Sequence, residues 1–376
     1  MRKILTADLK EGQTFSVPLF IDDDNIFVPK ETPILKKDLD LLKTLDIVEL
    51  FMEGVSPEIN KVAVKKIPIS SFSQRKFVNA GVSEAVDKLI IFVNSIFAAV
   101  KSKKSVNIRL LWHITDSLMG IVKAYRDDAL KLILWKDVKA GFEMAKNSVD
   151  TAILSAVIGE EFAFSETKIK ELIVAALLHD VGMLRLPEAL IKKVGELSNR
   201  ELIIIQSHTL HSFNIMKKEF MYPENVCQIA LQHHEHWDGN GYPSRISGDK
   251  IDTSALIVTV VDSFIAMMSR KAYRNTMTGY QAMKTLLSEN AVYFSPEILK
   301  MFVKIMGIYP IGSGVLLNDN SIAMVVGTNA KFPLRPVVQL LFDKSGDVTA
   351  NDKSINLSTD KKLFITCAVD IKSFMA

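Results

Sequence analysis

Six of the seven histidines lie between positions 179 and 236, in three short signatures: His179-Asp180, His208, and the run H-H-E-H-W-D-G-N-G-Y-P over 233–243. Imidazoles grouped with a carboxylate are the donor set of a site for first-row transition metals. His179-Asp180 ends an apolar helical stretch, and a neighbouring histidine and carboxylate at a buried helix end can bind one metal or bridge two. The competing assignment is a satisfied core histidine beside a capping aspartate. Adjacent residues point roughly 100° apart on a helix, so His233 and His234 can serve different metals or grip one from its rim. Otherwise they form a solvated helix end. Asp262 sits in the apolar stretch 255–268 among Val258, Val260, Val261, Phe264 and Met267, with no basic residue between 255 and 269. A carboxylate there must neutralise, pair or coordinate. A bound cation is the economical explanation, with an N-cap or salt bridge as the alternative.

These residues need a helical frame, and the chain supplies one. From 138 to 306 the spacing of apolar residues is helical, with runs such as 175–178 and 255–261 that read as helices buried on most sides. Pro187, Pro223 and the 239–243 loop mark interruptions. Upstream, apolar residues recur at three and four from 74 to 136, with no glycine between Val82 and Met119. This predicts long helices, a connector or packing surface over 74–137. The first 60 residues form a small α+β module: β-like runs at 14–21 and 26–29 around an acidic turn at 22–25, then a helix over 35–45. After Tyr309-Pro310 the texture turns to short β-branched runs at 315–317, 322–326, 337–342 and 363–367, a small β-rich segment over 309–376. The fold class is mainly α.

Composition narrows the function. A chain of 376 residues with 48 % hydrophobic and 24 % charged residues is a globular protein of two or three domains. Its net charge of +3 leaves no footprint for DNA or RNA. The longest apolar stretch, 89–100, spans 12 residues, short of the ~20 that cross a bilayer. No export signal is expected from the N-terminal residues, where charge interrupts any apolar stretch, and Cys227 and Cys367 are too far apart to suggest a disulfide scaffold. A cytoplasmic location is expected. A homodimer and signalling partner proteins are both compatible with the chain.

The succession H-D-V-G, then His208, then H-H-E-H-W-D-G-N-G-Y-P, then an aspartate in a buried helix followed by Tyr273-Arg274, resembles the HD-GYP branch of the HD-domain metal-dependent phosphohydrolases. The resemblance covers about 138–306. It implies an HD-type helical bundle with two or three divalent metals, iron or manganese, and hydrolysis of cyclic di-GMP to pGpG or GMP by a metal-activated hydroxide. Carried over by position, the metal ligands are His179, Asp180, His208, His233, His234 and Asp262, with Asp180 bridging and His179 and Asp180 the catalytic pair. Tyr242, flanked by Gly241 and Pro243, meets the nucleotide, or else the loop is a turn that only closes the site. Lys271 and Arg274 hold phosphate, unless they are a solvated helix end.

Departures accompany the matches. The helix that in this family supplies a histidine four residues after a glutamate here carries Glu143 and Asn147, a weaker pair for a third metal. The lysine expected after H-D-x-G is Met183, with Arg185 the nearest replacement but pointing elsewhere on a regular helix. Ile265 stands where a further aspartate is usual. A catalytically weak protein that binds the nucleotide or a partner and signals by conformation is therefore the alternative. No role is implied for His211 or His236, which are expected on the surface, and His113 is expected to be structural.

Overall fold

A computed structural model describes residues 3–20, 26–28, 30–44, 49–52, 78–135, 139–193, 195–269, 277–288, 291–329, 331–349, 354–360 and 362–371. The chain forms two compact units, one of Met1–Ser73, Thr278–Ala291 and Leu299–Ala376, the other of Gln74–Met277 and Val292–Ile298.

The N-terminal part of the first unit is a four-stranded antiparallel sheet in the order β1-β4-β2-β3 with one helix. Its elements are β1 (Lys3–Leu5), β2 (Leu19–Phe20), β3 (Ile26–Val28), α1 (Lys36–Thr44) and β4 (Glu49–Phe51). Leu9, Leu19, Val28, Ile34, Leu42 and Leu50 make its core. The strand expected at 26–29 and the helix expected at 35–45 are present to within a residue of their ends, the run expected at 14–21 is a strand only at Leu19–Phe20, where it pairs with β3 and β4, and β1 and β4 are additions too short to show a period. The acidic turn at 22–25 lies outside the described residues.

The second unit is helical: α2 (Ala80–Lys101), α3 (Ile108–Trp135), α4 (Glu143–Glu161), α5 (Glu166–Leu178), α6 (Glu188–Ile191), α7 (Asn199–Gln206), α8 (His208–Asn214), α9 (Glu224–Gln232) and α10 (Thr253–Met268). The Asn79 side chain caps α2 by accepting from the Gly81 and Val82 amides, and the helix buries Val82, Val86, Leu89, Val93, Ile96 and Val100 along one stripe. Helices α4 and α5 are buried almost all round, α4 from Ser148 to Gly159 and α5 from Leu172 to Leu178. They pack on each other, with α2, α3 and α10 also against α4 and with α9 against α5. Of the two roles expected for the 74–137 stretch, connector or packing surface, its helices α2 and α3 fill the second, supplying walls for α4 and α5. His113 is exposed on α3 rather than built into the core.

Two further helices, α11 (Gly279–Ser288) and α12 (Pro296–Met306), precede a five-stranded antiparallel sheet in the order β8-β7-β6-β5-β9. Its strands are β5 (Gly314–Leu317), β6 (Ile322–Gly327), β7 (Val337–Phe342), β8 (Ser354–Asn356) and β9 (Ile365–Val369). The run expected at 363–367 is paired from Ile365 onward, in register with Leu317. Strand β8 has only Ile355 as an apolar residue, which is why no β-branched run announces it. With 55 % of residues helical, the protein is mainly α with a small sheet at each end. Among the described residues no helix is long and apolar enough to cross a membrane.

Candidate metal centre

Helix α5 ends at Leu178, so His179 is its C-cap and Asp180 the first residue beyond it. Helix α9 ends at Gln232 and His233 is its C-cap, while α7 ends at Gln206, two residues before His208. All three histidines thus stand within two residues of a helix C-terminus, where the last four carbonyls have no intrahelical donor. Each ring uses one of them. His179 Nδ1–H donates to the Ala176 carbonyl, His208 to that of Ile205 and His233 to that of Ala230, each at 2.7 Å. Because a carbonyl can only accept, the proton of the neutral ring is fixed on Nδ1 and Nε2 is left with its lone pair.

Those three Nε2 atoms converge on one carboxylate. His208 Nε2 is 3.2 Å and His233 Nε2 3.7 Å from Asp180 Oδ1, and His179 Nε2 is 3.5 Å from Asp180 Oδ2. From α10, Asp262 brings Oδ1 to 3.3 Å from His179 Nε2. His208 Nε2 and His233 Nε2 also face each other at 3.4 Å. Lone pairs directed at lone pairs and at a carboxylate are repulsive unless a proton or a cation lies between them. This is the donor chemistry of a metal site. Two groups have ligand atoms within 4.8 Å of one another, Asp180-His208-His233-His234 and His179-Asp180-Asp262. Donors held at roughly 2.1 Å from one ion lie within ~4.2 Å of each other, so small side-chain adjustments suffice, and Asp180 belongs to both groups. The residues present fit a pair of divalent cations sharing Asp180.

Electrostatics divide the cluster. Burial alone would lower the His179 pKa, but the carboxylates of Asp180 and Asp262 beside it hold it well above the usual imidazole value. Burial would raise Asp180, yet the imidazoles of His179, His208 and His233 keep its carboxyl well below the usual range. His208, also opposed by burial, is raised by Asp180. Burial lowers His233, and lowers His234 well below the usual value, so both stay neutral and ready to ligate. The side chains of Asp180 and Asp262 retain 32 % and 17 % of their exposure, whereas His179 and His233 retain 1 % or less. The centre is thus closed from the protein side and open at its carboxylates.

The loop after α9 folds back over this opening. The Tyr242 amide donates to the His234 carbonyl at 3.0 Å, and the Tyr242 ring stacks on the His234 imidazole with centroids 4.7 Å apart. Gly241 permits that return: a Cβ there would stand 2.3 Å from the His236 nitrogen and 2.4 Å from the His234 oxygen. The peptide bond from Tyr242 to Pro243 is cis. Glu235 is fully buried and accepts the Ser244 amide at 2.6 Å. Gly182 plays the same steric part behind Asp180, since a Cβ there would lie 2.0 Å from the His208 carbonyl oxygen.

Other expected site residues are engaged elsewhere. Glu143 is exposed at the start of α4, where it accepts the Gly141 amide. The Asn147 side-chain oxygen accepts the Ser269 hydroxyl at 2.8 Å. Met183 is half-buried, and Arg185 reaches away to Glu219 and to the Val100 carbonyl. Ile265 is buried in the α10 core. Lys271 and Arg274 lie outside the described residues. His211 and His236, expected on the surface, are half-buried, because α8 packs against the 181–185 turn and His236 stacks on Tyr293 at 4.7 Å. Sequence reasoning missed Glu235 and the three carbonyls. The position of each histidine just past a helix end was the available signal for the carbonyls.

The chain is similar to known proteins. Residues 133–298 match the HD domain and residues 314–376 the KOW domain associated with HD domain. The chain is 28 % identical over 311 residues to a cyclic di-GMP phosphodiesterase of Thermotoga maritima, covering 72 % of this chain and 81 % of the relative. It is 28 % identical over 208 residues to the cyclic di-GMP phosphodiesterase PdeB of Borreliella burgdorferi, covering 55 % of each, so it spans little more than half of that relative. A solved structure of an HDG"Y"P protein from Bdellovibrio bacteriovorus is 15 % identical, with a TM-score of 0.48 over 80 % of this chain and 97 % of that one. Residues 133–298 are therefore an HD domain, followed at 314–376 by the KOW domain associated with it, and the sequence relatives are consistent with a divergent HD-GYP member.

Proposed function

We propose that the protein is a metal-dependent phosphodiesterase that hydrolyses cyclic di-GMP to pGpG and GMP. The observation that carries this reading is the convergence of three Nε2 atoms, each with its Nδ1 proton committed to a helix-end carbonyl, on the shared carboxylate of Asp180. His179, Asp180 and Asp262 would hold one cation, and Asp180, His208, His233 and His234 the other. Imidazole and carboxylate together suit iron or manganese. When bound, the two cations supply Lewis acidity, lowering the pKa of water and neutralising phosphate oxygens during in-line attack.

The remaining work falls to the chain. Asp180 and His179 are the catalytic pair: Asp180 sets the spacing of the two sites, and His179 joins Asp180 to Asp262. Tyr242, held by Gly241 and Pro243 over His234, presents an aromatic face at the open side, where a guanine can stack or accept a hydrogen bond. Lys271 and Arg274 supply positive charge for phosphate. Glu143 and Asn147, bonded to Gly141 and Ser269, leave the centre with two metals rather than three. The names of the Thermotoga and Borreliella relatives support cyclic di-GMP as substrate. A cysteine content of two, Cys227 and Cys367, far apart in the sequence, suits a cytosolic location.

Protein purified without oxygen, assayed for metal and incubated with cyclic di-GMP in excess Mn²⁺ or Fe²⁺, should give pGpG or GMP, and Asp180→Asn should abolish the product. Met183 in place of a cation, together with the engaged Asn147, favours the second reading, a nucleotide-binding or protein-interaction signalling module. Tight binding of cyclic di-GMP with no turnover by the metal-loaded protein would establish that reading instead.

A further inference from the structure

Glu235 lies between the His233-His234 ligand pair and the loop that covers them, and it has no part in the chemistry above. It is fully buried. Its Oε1 accepts the Ser244 amide at 2.6 Å, while Oε2 is buried without a hydrogen-bond partner. A carboxylate in that position is costly to bury, and an apolar side chain would fill the same space without the penalty. What the carboxylate does there is restrain a loop.

Ser244 is exposed, so water would satisfy its amide if Glu235 let go. Between Glu235 and Ser244 the chain returns so closely that Gly241 has no room for a Cβ against the 234–236 backbone. Two residues before Ser244, the Tyr242 amide is bonded to the His234 carbonyl and the Tyr242 ring lies on the His234 imidazole at an interplanar angle of 28°. The loop is therefore pinned at 242 by the backbone and at 244 by Glu235, and the aromatic ring sits at the first pin.

We propose that Glu235 is a positioning residue: through the Ser244 amide it fixes the 241–244 segment and so holds the Tyr242 ring over His234, where the nucleotide substrate meets the metal centre. The kinetic half of this proposal rests on the phosphodiesterase reading. The clamp itself does not.

The full-length chain is compared with Glu235→Ala and Glu235→Gln by amide hydrogen exchange at Ser244, by Mn²⁺ content after equilibrium dialysis, and by KM and kcat for cyclic di-GMP. Exchange at Ser244 should be about tenfold faster or more in the alanine variant, the loss of one charge-assisted hydrogen bond. It should stay near the original rate in the glutamine variant, whose amide oxygen still accepts. Mn²⁺ content should be the same in all three proteins. KM should rise roughly tenfold in Glu235→Ala with a smaller change in kcat, because the loop is displaced and the ligands are not. Glu235→Ala combined with Tyr242→Ala should be no worse than Tyr242→Ala alone.

Loss of Mn²⁺ in Glu235→Ala would overturn the proposal by placing Glu235 with the ligands. Unchanged Ser244 exchange, or full additivity with Tyr242→Ala, would overturn it as well. Should the alanine variant not fold, Glu235→Asp, one methylene too short to reach Ser244, replaces it under the same criteria. If metal-loaded native protein leaves cyclic di-GMP intact, the phosphodiesterase reading fails, and Ser244 exchange still decides the clamp.

Discussion

Gly182 offers a direct test of how the centre is assembled. It lies two residues beyond Asp180 in the short turn Val181–Arg185, which packs on α8, and its amide donates to the Ser212 hydroxyl at 2.8 Å. In Gly182→Ala the new Cβ would stand 2.0 Å from the His208 carbonyl oxygen, 2.5 Å from the Ser212 nitrogen and 2.8 Å from His211 Cβ, where ordinary contact begins at 3.4 Å. The first two neighbours are backbone atoms and cannot swing aside, so the turn and α8 must part by about 1.4 Å, the difference between 3.4 and 2.0 Å. His208, whose carbonyl is struck, is also the residue whose Nε2 sits 3.2 Å from Asp180 Oδ1. Metal sites tolerate donor displacements of only ~0.2 Å. Mn²⁺ affinity should therefore fall at least roughly tenfold, in line with the loss from mutations that disturb ligand orientation. Overpacking should destabilise the fold by about 1–3 kcal/mol, lowering the melting temperature by roughly 2–4 °C per kcal/mol for a unit of this size. The measurement is thermal unfolding with and without Mn²⁺, alongside equilibrium dialysis. Gly120→Ala is the control: it is exposed in α3, its Cβ would meet nothing within 4 Å, and alanine should stabilise that helix by about 1 kcal/mol. A Gly182→Ala protein that binds and melts like the original would refute the idea that contact between the turn and α8 sets the distance from His208 to Asp180.

Metal-free protein should respond to pH through His179 and Asp180. His179 is raised above its usual 6.5 and Asp180 lowered below its usual 3.8, so their joint stabilisation is complete between those two values and is lost as pH climbs through the raised pKa of His179. Burial lowers His233 and His234, which cost stability only as pH falls below 6.5. From about pH 7 to 9 the metal-free melting temperature should accordingly fall while apparent Mn²⁺ affinity rises, because ligation needs deprotonated imidazoles. Two curves with the same slope would contradict the assignment. Asn147→Ala should keep full Mn²⁺ content and lose about 1 kcal/mol, the worth of its hydrogen bond with Ser269, and a loss of metal would restore Asn147 to the ligand set. Tyr242→Phe keeps the ring on His234 and should leave KM within about threefold, whereas Tyr242→Ala removes a stacking surface worth roughly 1–3 kcal/mol for a base. Equal effects of the two on KM for cyclic di-GMP would shift the role from the ring to the hydroxyl.

The legible parts of this molecule are those whose signals are local. Apolar spacing located α2 to α5 and α10, and the β-branched runs located β5, β6 and β7, because periodicity over ten residues or more is little affected by what lies across the core. Strands β1, β4 and β8 are three residues each and owe their existence to pairing partners distant in sequence. In the centre, His179, Asp180, His208, His233, His234 and Asp262 were nameable from residue type and order, and the structure brings their ligand atoms together. Asn147 and Glu143 illustrate the opposite case. Their spacing on α4 is right for a shared helix face, but Asn147 is taken by Ser269, 122 positions away.

Why the histidines succeed where Asn147 does not follows from where each stands on its helix. Asn147 lies in the first turn and a half of α4, where the free backbone groups are amides rather than carbonyls. His179 and His233 each follow the last turn of a helix, and His208, the first residue of α8, follows the last turn of α7; in each case a carbonyl three residues back both absorbs the Nδ1 proton and fixes the ring plane. The C-termini of α5 and α9 also carry partial negative charge, which favours the rings of His179 and His233 when they share charge with a metal. Three unrelated helix ends, those of α5, α7 and α9, thus solve the same orientation problem with the same i−3 contact, and Asp180 needs only to emerge where they meet. The spacing that matters for such a site is accordingly the distance from each histidine back to its own helix end, which is two residues or fewer in every case, rather than the distance between the histidines along the chain.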